Sequence, residues 1–277
     1  MDFNAWRRRR ISEPAYRWAR NALPAMSATE REAIEAGDTW WDADLFTGNP
    51  NWRKLLDVPA ATLTAEEQRF IDGPLARLCA MLDEWDISWN RRDLPPEVWA
   101  FLKAERFFGM IIPRRYGGLG FSPYAHSEVV RRISAYSITA GVTVMVPNSL
   151  GPGELLMQFG TPAQRDYWLP RLADGREVPC FGLTSPEAGS DAASMVDTGV
   201  VCRQVVDGRE LIGIRLNWHK RYITLGPVAT VLGLAFKLSD PDGILGGPKD
   251  IGISVALVPT EAPGVEIGRR HLPAMQV

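Results

Sequence analysis

An α+β protein, with an all-helical N-terminal domain followed by a β-sheet or barrel-like middle domain, is the fold class this sequence predicts. Three observations predict it. Apolar residues recur at helical spacing along Phe70, Ile71, Leu75, Leu78, Cys79, Leu82 and Trp85. Past about residue 180 that period gives way to short apolar runs separated by turn residues. Asp207-Gly208 sits between Val200–Val206 and Leu211–Leu216, the pattern of a β-hairpin.

Residues 1–60 read as a basic, irregular extension. Within it Ser27-x-x-Glu30, ahead of Ala33 and Ile34, predicts one short helix through a capping box. Trp40, Trp41 and Phe46 are expected to anchor this arm on a neighbouring domain. Residues 61–175 form the helical domain. Thr64-x-x-Glu67 is a second capping box, and Leu94-Pro95-Pro96 restarts the chain into a helix bearing Val98, Phe101, Leu102 and Glu105. Tyr116-Gly117-Gly118-Leu119-Gly120 is a glycine-rich turn. One long helix is expected from about Pro123 to Val144 and another from about Pro152 to Phe159. Thr161-Pro162-x-Gln164 then supplies an N-cap, a proline at the first helical position and a capping-box glutamine. Residues 176–277 form the β domain, with further strands at Ala229–Lys237 and Ile251–Val258. Its five or six strands predict a sheet with an unpaired edge and a chain that is a fragment.

The bulk numbers exclude several classes. The 277 residues are 45% hydrophobic and 23% charged, as in globular proteins, and a net charge of −2 favours neither nucleic acid nor an anionic surface globally. Cys79, Cys180 and Cys202 stand far apart, which argues against a disulfide framework or a zinc site and fits a reducing cytoplasm. No apolar run reaches the roughly 18 residues of a membrane span. Arg7–Arg10 lead into Ile11-Ser12-Glu13-Pro14, not into the apolar core of a secretory signal. Residues 1–20 nevertheless interleave Arg7, Arg8, Arg9, Arg10, Arg17 and Arg20 with Trp6, Tyr16 and Trp18. Two readings stand open there: peripheral contact with an anionic membrane, and a solvated basic arm.

Motifs of chemistry are sparse. Gly151-Pro152-Gly153 lacks the third glycine of a dinucleotide fingerprint, and Gly246-Gly247-Pro248-Lys249 lacks the hydroxyl residue of a phosphate loop. His126, His219 and His271 are too scattered for a metal cluster. Cys180 with His219 stays open as a nucleophile pair, although buried cysteines are mostly inert. Leu183–Asp191 is more informative. Its small and hydroxyl residues leave backbone N–H groups uncovered, suited to an anion or a polar ring edge. Composition alone favours a plain turn. Trp218–Thr224 by itself reads as a strand with alternating faces.

In this order the two segments resemble the acyl-CoA dehydrogenase family. Phe181-Gly182-Leu183-Thr184-Ser185-Pro186-Glu187-Ala188-Gly189-Ser190-Asp191 resembles its aromatic-x-(L/V)-T-E-P-x-A-G-S-D motif, with Ser185 in place of Glu. Lys220-Arg221-Tyr222-Ile223-Thr224 resembles its K-x-(W/Y)-I-(T/S) motif. Ile112-Pro113-x-x-Tyr116-Gly117-Gly118-Leu119-Gly120 and Gly160-Thr161-x-x-Gln164-x-x-Tyr167-Trp168-Leu169-Pro170 are similar to two upstream signposts. The likeness covers about 64–277 and is nearest the large bacterial FadE-type enzymes.

The resemblance implies FAD as cofactor and dehydrogenation of medium- or long-chain fatty acyl-CoA to the trans-2-enoyl-CoA in β-oxidation. It implies an electron-transferring flavoprotein as electron acceptor, and a homo-oligomer. Phe181, Leu183, Thr184, Gly189, Ser190, Tyr222, Ile223 and Thr224 are the implied cofactor-binding residues, with Ser190 also implied for substrate. Thr184 and Leu183 take the pyrimidine edge, Tyr222 and Ile223 the ring, and Thr224 the side of N5 and O4. The helices around Val144–Leu156 are expected to line the acyl tail. Ser185 is expected at the rim. The family's catalytic glutamate lies in a C-terminal helical domain expected to be absent here, so no base is assigned; Glu154, Glu177 and Glu187 read as surface carboxylates. On this reading the chain alone is inactive. An acyl-CoA oxidase on the same scaffold and a non-catalytic acyl-CoA or flavin-binding module are the rival functions. A cytoplasmic location, at the inner face of the membrane, completes the expectations.

Overall fold

The computed structural model describes residues 3–23, 31, 34–35, 37, 39–149 and 151–270. The Ser27/Glu30 capping box lies outside the described residues. Two compact units emerge, Met1–Val58 and Pro59–Val277.

The first unit corrects the expectation of an irregular arm. Helices Phe3–Arg7 and Glu13–Ala22 are joined by a wide π turn, Arg8–Ser12, so the helical path runs almost unbroken from residue 3 to 22. Pro14 sits in the first turn of the second helix, directly past the π turn, where the Glu13 N–H already reaches back to the Arg8 carbonyl. Two short helices follow, Asp42–Leu45 and Trp52–Leu56. Of the three expected anchors only Trp41 packs, on Trp52 at 5.0 Å between ring centroids, with its indole N–H donating to the Asn51 carbonyl at 2.8 Å. Trp40 and Phe46 remain exposed.

The second unit begins with the Thr64 capping box, present in both directions: Glu67 N–H donates to Thr64 Oγ1 and Thr64 N–H to Glu67 Oε2. Helix Ala65–Phe70 passes through a π turn at Ile71–Leu75, where Pro74 removes a donor, into helix Ala76–Met81. The core stripe reaches Leu82, which packs against the helical core. Trp85 is exposed and leans on Trp89, with ring centroids 5.5 Å apart, instead of continuing into the core. Helix Pro96–Ala104 follows, and Phe70, Phe107 and Phe121 meet at the centre of the helical core.

The glycine-rich turn folds back on the segment before it. Leu119 N–H reaches the Gly109 carbonyl and Gly120 N–H the Ile112 carbonyl. A Cβ on Gly118 would sit 2.0 Å from the Ile112 oxygen, so glycine is required by backbone contact and not by a ligand. The single helix expected over 123–144 is two, Pro123–Ser134 and Ile138–Met145. Ser137 breaks it by leaving helical geometry and accepting the Ala140 N–H with its hydroxyl. Helices Pro152–Phe159 and Pro162–Ala173 form as expected, the second with its Thr161/Gln164 capping box.

The sheet has five strands, β1 Pro179–Gly182, β2 Thr198–Val206, β3 Arg209–Asn217, β4 Val231–Ser239 and β5 Asp250–Pro259. Strands β2 and β3 are the expected hairpin; Asp207 and Gly208 both have positive φ, as its two-residue turn requires. β4 is central and carries β5 antiparallel along one edge. Its other edge is shared. β1 pairs parallel with Val231–Leu234, and β2 pairs parallel with Lys237–Ser239.

Candidate functional site

The chain leaves the sheet at the point where β4 changes partners. Between β1 and β2, residues 183–197 bulge away opposite Ala235 and Phe236. Ala188 and Met195 seal the underside of this loop against Ala235, with Leu183 alongside. Reciprocal backbone hydrogen bonds between Ser185 and Ala188 pinch a tight turn and leave Pro186 and Glu187 exposed at its tip. Ser185 is buried, so the expectation of a rim position is corrected; its Oγ has no hydrogen-bond partner among the described residues.

The second segment, Trp218–Thr224, is not a strand. Tyr222 and Leu225 adopt positive φ, which ends any extended run. Tertiary tethers hold this shape. Arg221 N–H donates to the Thr184 carbonyl at 3.1 Å. The Lys220 ammonium donates to the Leu183 carbonyl at 3.0 Å and to Asp197 Oδ2 at 2.5 Å. Asp197 Oδ1 accepts the His219 N–H, and the Asp197 carbonyl accepts the Lys237 N–H. Asp197 thereby ties the loop to the start of the second segment through its carboxylate, and to Lys237 of β4 through its main-chain carbonyl.

These tethers bring Leu183 and Thr184 together with Tyr222, Ile223 and Thr224. Thr184 is half-buried, and its N–H and hydroxyl make no hydrogen bond among the described residues. Tyr222 is exposed, with the Arg221 guanidinium stacked 4.1 Å from its ring centre. Thr224 is exposed, whereas Ile223 turns partly inward onto the cluster of Cys180, Leu225 and Leu232. Gly189 and Ser190 lie further along the exposed part of the loop, and no hydrogen bond joins them to the second segment. Nothing lies within 4 Å of a Cβ built on Gly189; the missing side chain leaves its backbone bare. Phe181 is half-buried in β1, its ring against Gly233.

Asp197 is the residue that sequence reasoning missed. Its signal was indirect: a lysine inside an apolar, motif-bearing stretch requires a buried partner. No spacing rule selects a partner 23 residues upstream.

The surroundings of Cys180 and His219 argue against a nucleophile pair. Burial pushes the Cys180 thiol up to about 12, far from a thiolate at neutral pH, and His219 is exposed. Glu154 accepts from Gln158 and Glu177 from Thr230, while Glu187 is exposed at the loop tip. Among the described residues no cluster of His, Cys, Asp or Glu is arranged to hold a metal ion.

A helical layer feeding a sheet whose first strand opens into a hydroxyl-lined loop defines a class, and family comparison gives that class its name. The acyl-CoA dehydrogenase N-terminal domain matches residues 62–176 and the acyl-CoA dehydrogenase middle domain matches residues 180–276; the chain belongs to the acyl-CoA dehydrogenase family. In sequence it is 31% identical over 248 residues to the probable acyl-CoA dehydrogenase FadE10 of Mycobacterium tuberculosis, covering 86% of this chain and 36% of that one. In structure it is similar to butyryl-CoA dehydrogenase from Megasphaera elsdenii, with a TM-score of 0.60 and 21% identity over 74% of this chain and 51% of that one. It is also similar to an FAD complex of PigA, with a TM-score of 0.62 and 22% identity over 77% and 52% of the two chains. The chain thus spans about a third of the curated relative and about half of the solved ones.

Proposed function

We propose that this chain forms the flavin-holding wall of an enzyme that dehydrogenates fatty acyl-CoA to trans-2-enoyl-CoA. The observation that carries the reading is the Arg221–Thr184 bond. It sets the unengaged N–H and hydroxyl of Thr184 beside the exposed Tyr222 and Thr224. Such a set suits the isoalloxazine of FAD: donors for a polar ring edge, an aromatic and an aliphatic for its face, and a hydroxyl beyond.

The residues divide the work. Thr184 and the Leu183 backbone hold the pyrimidine edge, where donors favour the negative charge of a reduced ring. Tyr222 and Ile223 would pack on the ring, and Thr224 would hold the side of N5 and O4. Gly189 and Ser190 take the pyrophosphate, Ser190 also meeting the CoA portion, and Phe181 shapes the floor. When bound, FAD would supply the hydride acceptor for dehydrogenation at the acyl α and β carbons, held by Leu183, Thr184, Tyr222, Ile223 and Thr224.

Medium- and long-chain fatty acyl-CoA are the substrate class, with electrons passing to an electron-transferring flavoprotein in a homo-oligomeric, cytoplasmic enzyme of β-oxidation. The likeness to the probable acyl-CoA dehydrogenase FadE10 supports an acyl-CoA as substrate. Three free cysteines, two of them buried, support a reducing compartment.

Titration of the purified chain with FAD tests the reading. Quenching of flavin fluorescence is expected, with at least tenfold weaker binding for Thr184→Val. Absence of quenching by the unmodified chain overturns the assignment. Where turnover is measured, Thr224→Val is expected to slow flavin reduction while acyl-CoA binding persists. Peroxide release in air would transfer the chain to the oxidase reading.

A further inference from the structure

The N-terminal helical run, residues 3–22, buries none of its residues. It lies outside both matched family domains. Its charge is one-sided in sign, with Arg7, Arg8, Arg9, Arg10, Arg17 and Arg20 against Glu13 alone. Its large apolar side chains, Phe3, Trp6, Ile11, Tyr16 and Trp18, are all exposed.

These residues are sorted by face. Along helix Glu13–Ala22, Ala15, Trp18 and Ala22 follow i, i+3, i+7 spacing and share one stripe. Glu13, Arg17 and Arg20 share the opposite one, where Arg17 pairs with Glu13. The wide turn Arg8–Ser12 extends this pattern. One extra residue in a helical turn rotates the preceding part by roughly 100° relative to the following part. That rotation swings Phe3 and Trp6, whose rings stack with centroids 6.0 Å apart, toward the side of Ile11 and Trp18. It carries Arg8 and Arg9 toward the side of Arg17 and Arg20. In a regular helix Trp6 would stand about 120° away from Trp18. The π turn therefore brings Phe3, Trp6, Ile11 and Trp18 toward one side, with Arg8, Arg17 and Arg20 on the other and the remaining arginines on the flanks.

We infer that residues 3–22 are an interfacial helix that lies flat on an anionic lipid bilayer. Aromatic and aliphatic side chains enter the headgroup boundary, and the arginines meet lipid phosphates. Charge complementarity selects this occupant, since a polybasic surface helix adds attraction to anionic lipid that it lacks for zwitterionic lipid. A nucleic acid would use the arginines and leave the apolar stripe in water. A second copy of the helix would cover the apolar stripe and leave the arginines without an anionic partner. The helix does not cross the bilayer: no helix among the described residues is long and apolar enough to do so.

Flotation of the whole chain with vesicles tests the inference. Phosphatidylglycerol-containing vesicles are compared with pure phosphatidylcholine vesicles, at low salt and at 0.5 M salt. Binding to the anionic vesicles is expected, at least tenfold above binding to the zwitterionic ones and weakened by salt. Two variants separate the faces. Ile11→Ser with Trp18→Ser is expected to lower anionic binding at least tenfold with all arginines kept. Arg9→Gln, Arg17→Gln and Arg20→Gln together are expected to erase the preference for anionic lipid. Circular dichroism and molecular mass in solution accompany each variant. The inference is overturned by equal binding to both vesicle types, or by undiminished binding of the Ile11/Trp18 variant. A mass change in that variant without vesicle binding by the parent overturns it in favour of self-association. Tighter binding of the parent to a 20-nucleotide single strand than to anionic vesicles overturns it in favour of nucleic acid.

Discussion

The ammonium of Lys220 lies 2.5 Å from Oδ2 of Asp197, and both side chains are almost fully withdrawn from solvent, at 4% and 1% exposure. Removing one partner strands the other charge in the protein, at a general cost of about 3–5 kcal/mol. Lys220→Met is therefore expected to destabilise the chain by an amount in that range in chemical denaturation. The double variant Lys220→Met, Asp197→Asn is expected to recover a large part of it. A double variant no more stable than Lys220→Met would show that the pair does not act as a unit. The same lysine holds the Leu183 carbonyl, so flavin binding should weaken in Lys220→Met even in the fraction that remains folded.

Glu67 links three pieces of backbone. Burial raises its pKa, but hydrogen bonds from the Thr64 and Ser122 N–H groups outweigh that effect and bring it from 4.5 down to about 2. A folded pKa below the unfolded one means that its stabilisation is complete above about pH 4.5. It is lost progressively as pH falls toward 2. At 1.36 kcal/mol per pH unit this is worth about 3 kcal/mol. Glu67→Gln should flatten the stability profile over that window, with a loss of about 2 kcal/mol at neutral pH. Urea denaturation at a series of pH values measures both.

The thiols provide a test of burial. Burial raises the pKa of both Cys79 and Cys180, the latter to about 12, while Cys202 is only half-buried on β2. At pH 8 a thiol reagent should modify Cys202 first in the native chain. Cys79 and Cys180 should react only as the chain unfolds. Cys180→Ser should leave the native labelling unchanged, and fast labelling lost on that substitution would contradict the burial described here.

Two glycines differ sharply in what surrounds them. A methyl group at Gly118 meets the Ile112 oxygen at 2.0 Å and the Gly109 oxygen at 2.7 Å, both backbone atoms that cannot swing aside. At Gly226 the nearest atom is Ile223 Cβ at 3.6 Å, an ordinary contact. Gly118→Ala is expected to cost about 3 kcal/mol or more, and Gly226→Ala less than about 1 kcal/mol. Thermal melts of the two side by side give the comparison.

Helices with caps were legible in the sequence because a cap is a local event. Thr64/Glu67 and Thr161/Gln164 need only four residues to satisfy the same donors wherever the helix packs. The Asp207-Gly208 hairpin was legible for the same reason: its turn needs two residues of positive φ. The break at Ser137 was not, because an apolar period runs on through a serine that can either cap or continue a helix. Nor was the helix over residues 3–22, whose polar and aromatic composition has no core to report on.

The site divides along the same line. Its residue types and their order, from Phe181 to Ser190 and from Lys220 to Thr224, were already present in the sequence, because a binding loop must carry its own donors and small residues. Their meeting was not. The Leu183–Asp197 loop springs from the place where β4 passes from β1 to β2, a property of strand pairing across 50 residues of chain. Trp218–Thr224 has the alternation of a strand and is drawn out of that shape by Arg221, Lys220 and the buried Asp197. Alternation records only which faces a backbone could present. A buried charge pair and one hydrogen bond to Thr184 settle which it does present, and those contacts exist only once the chain has folded.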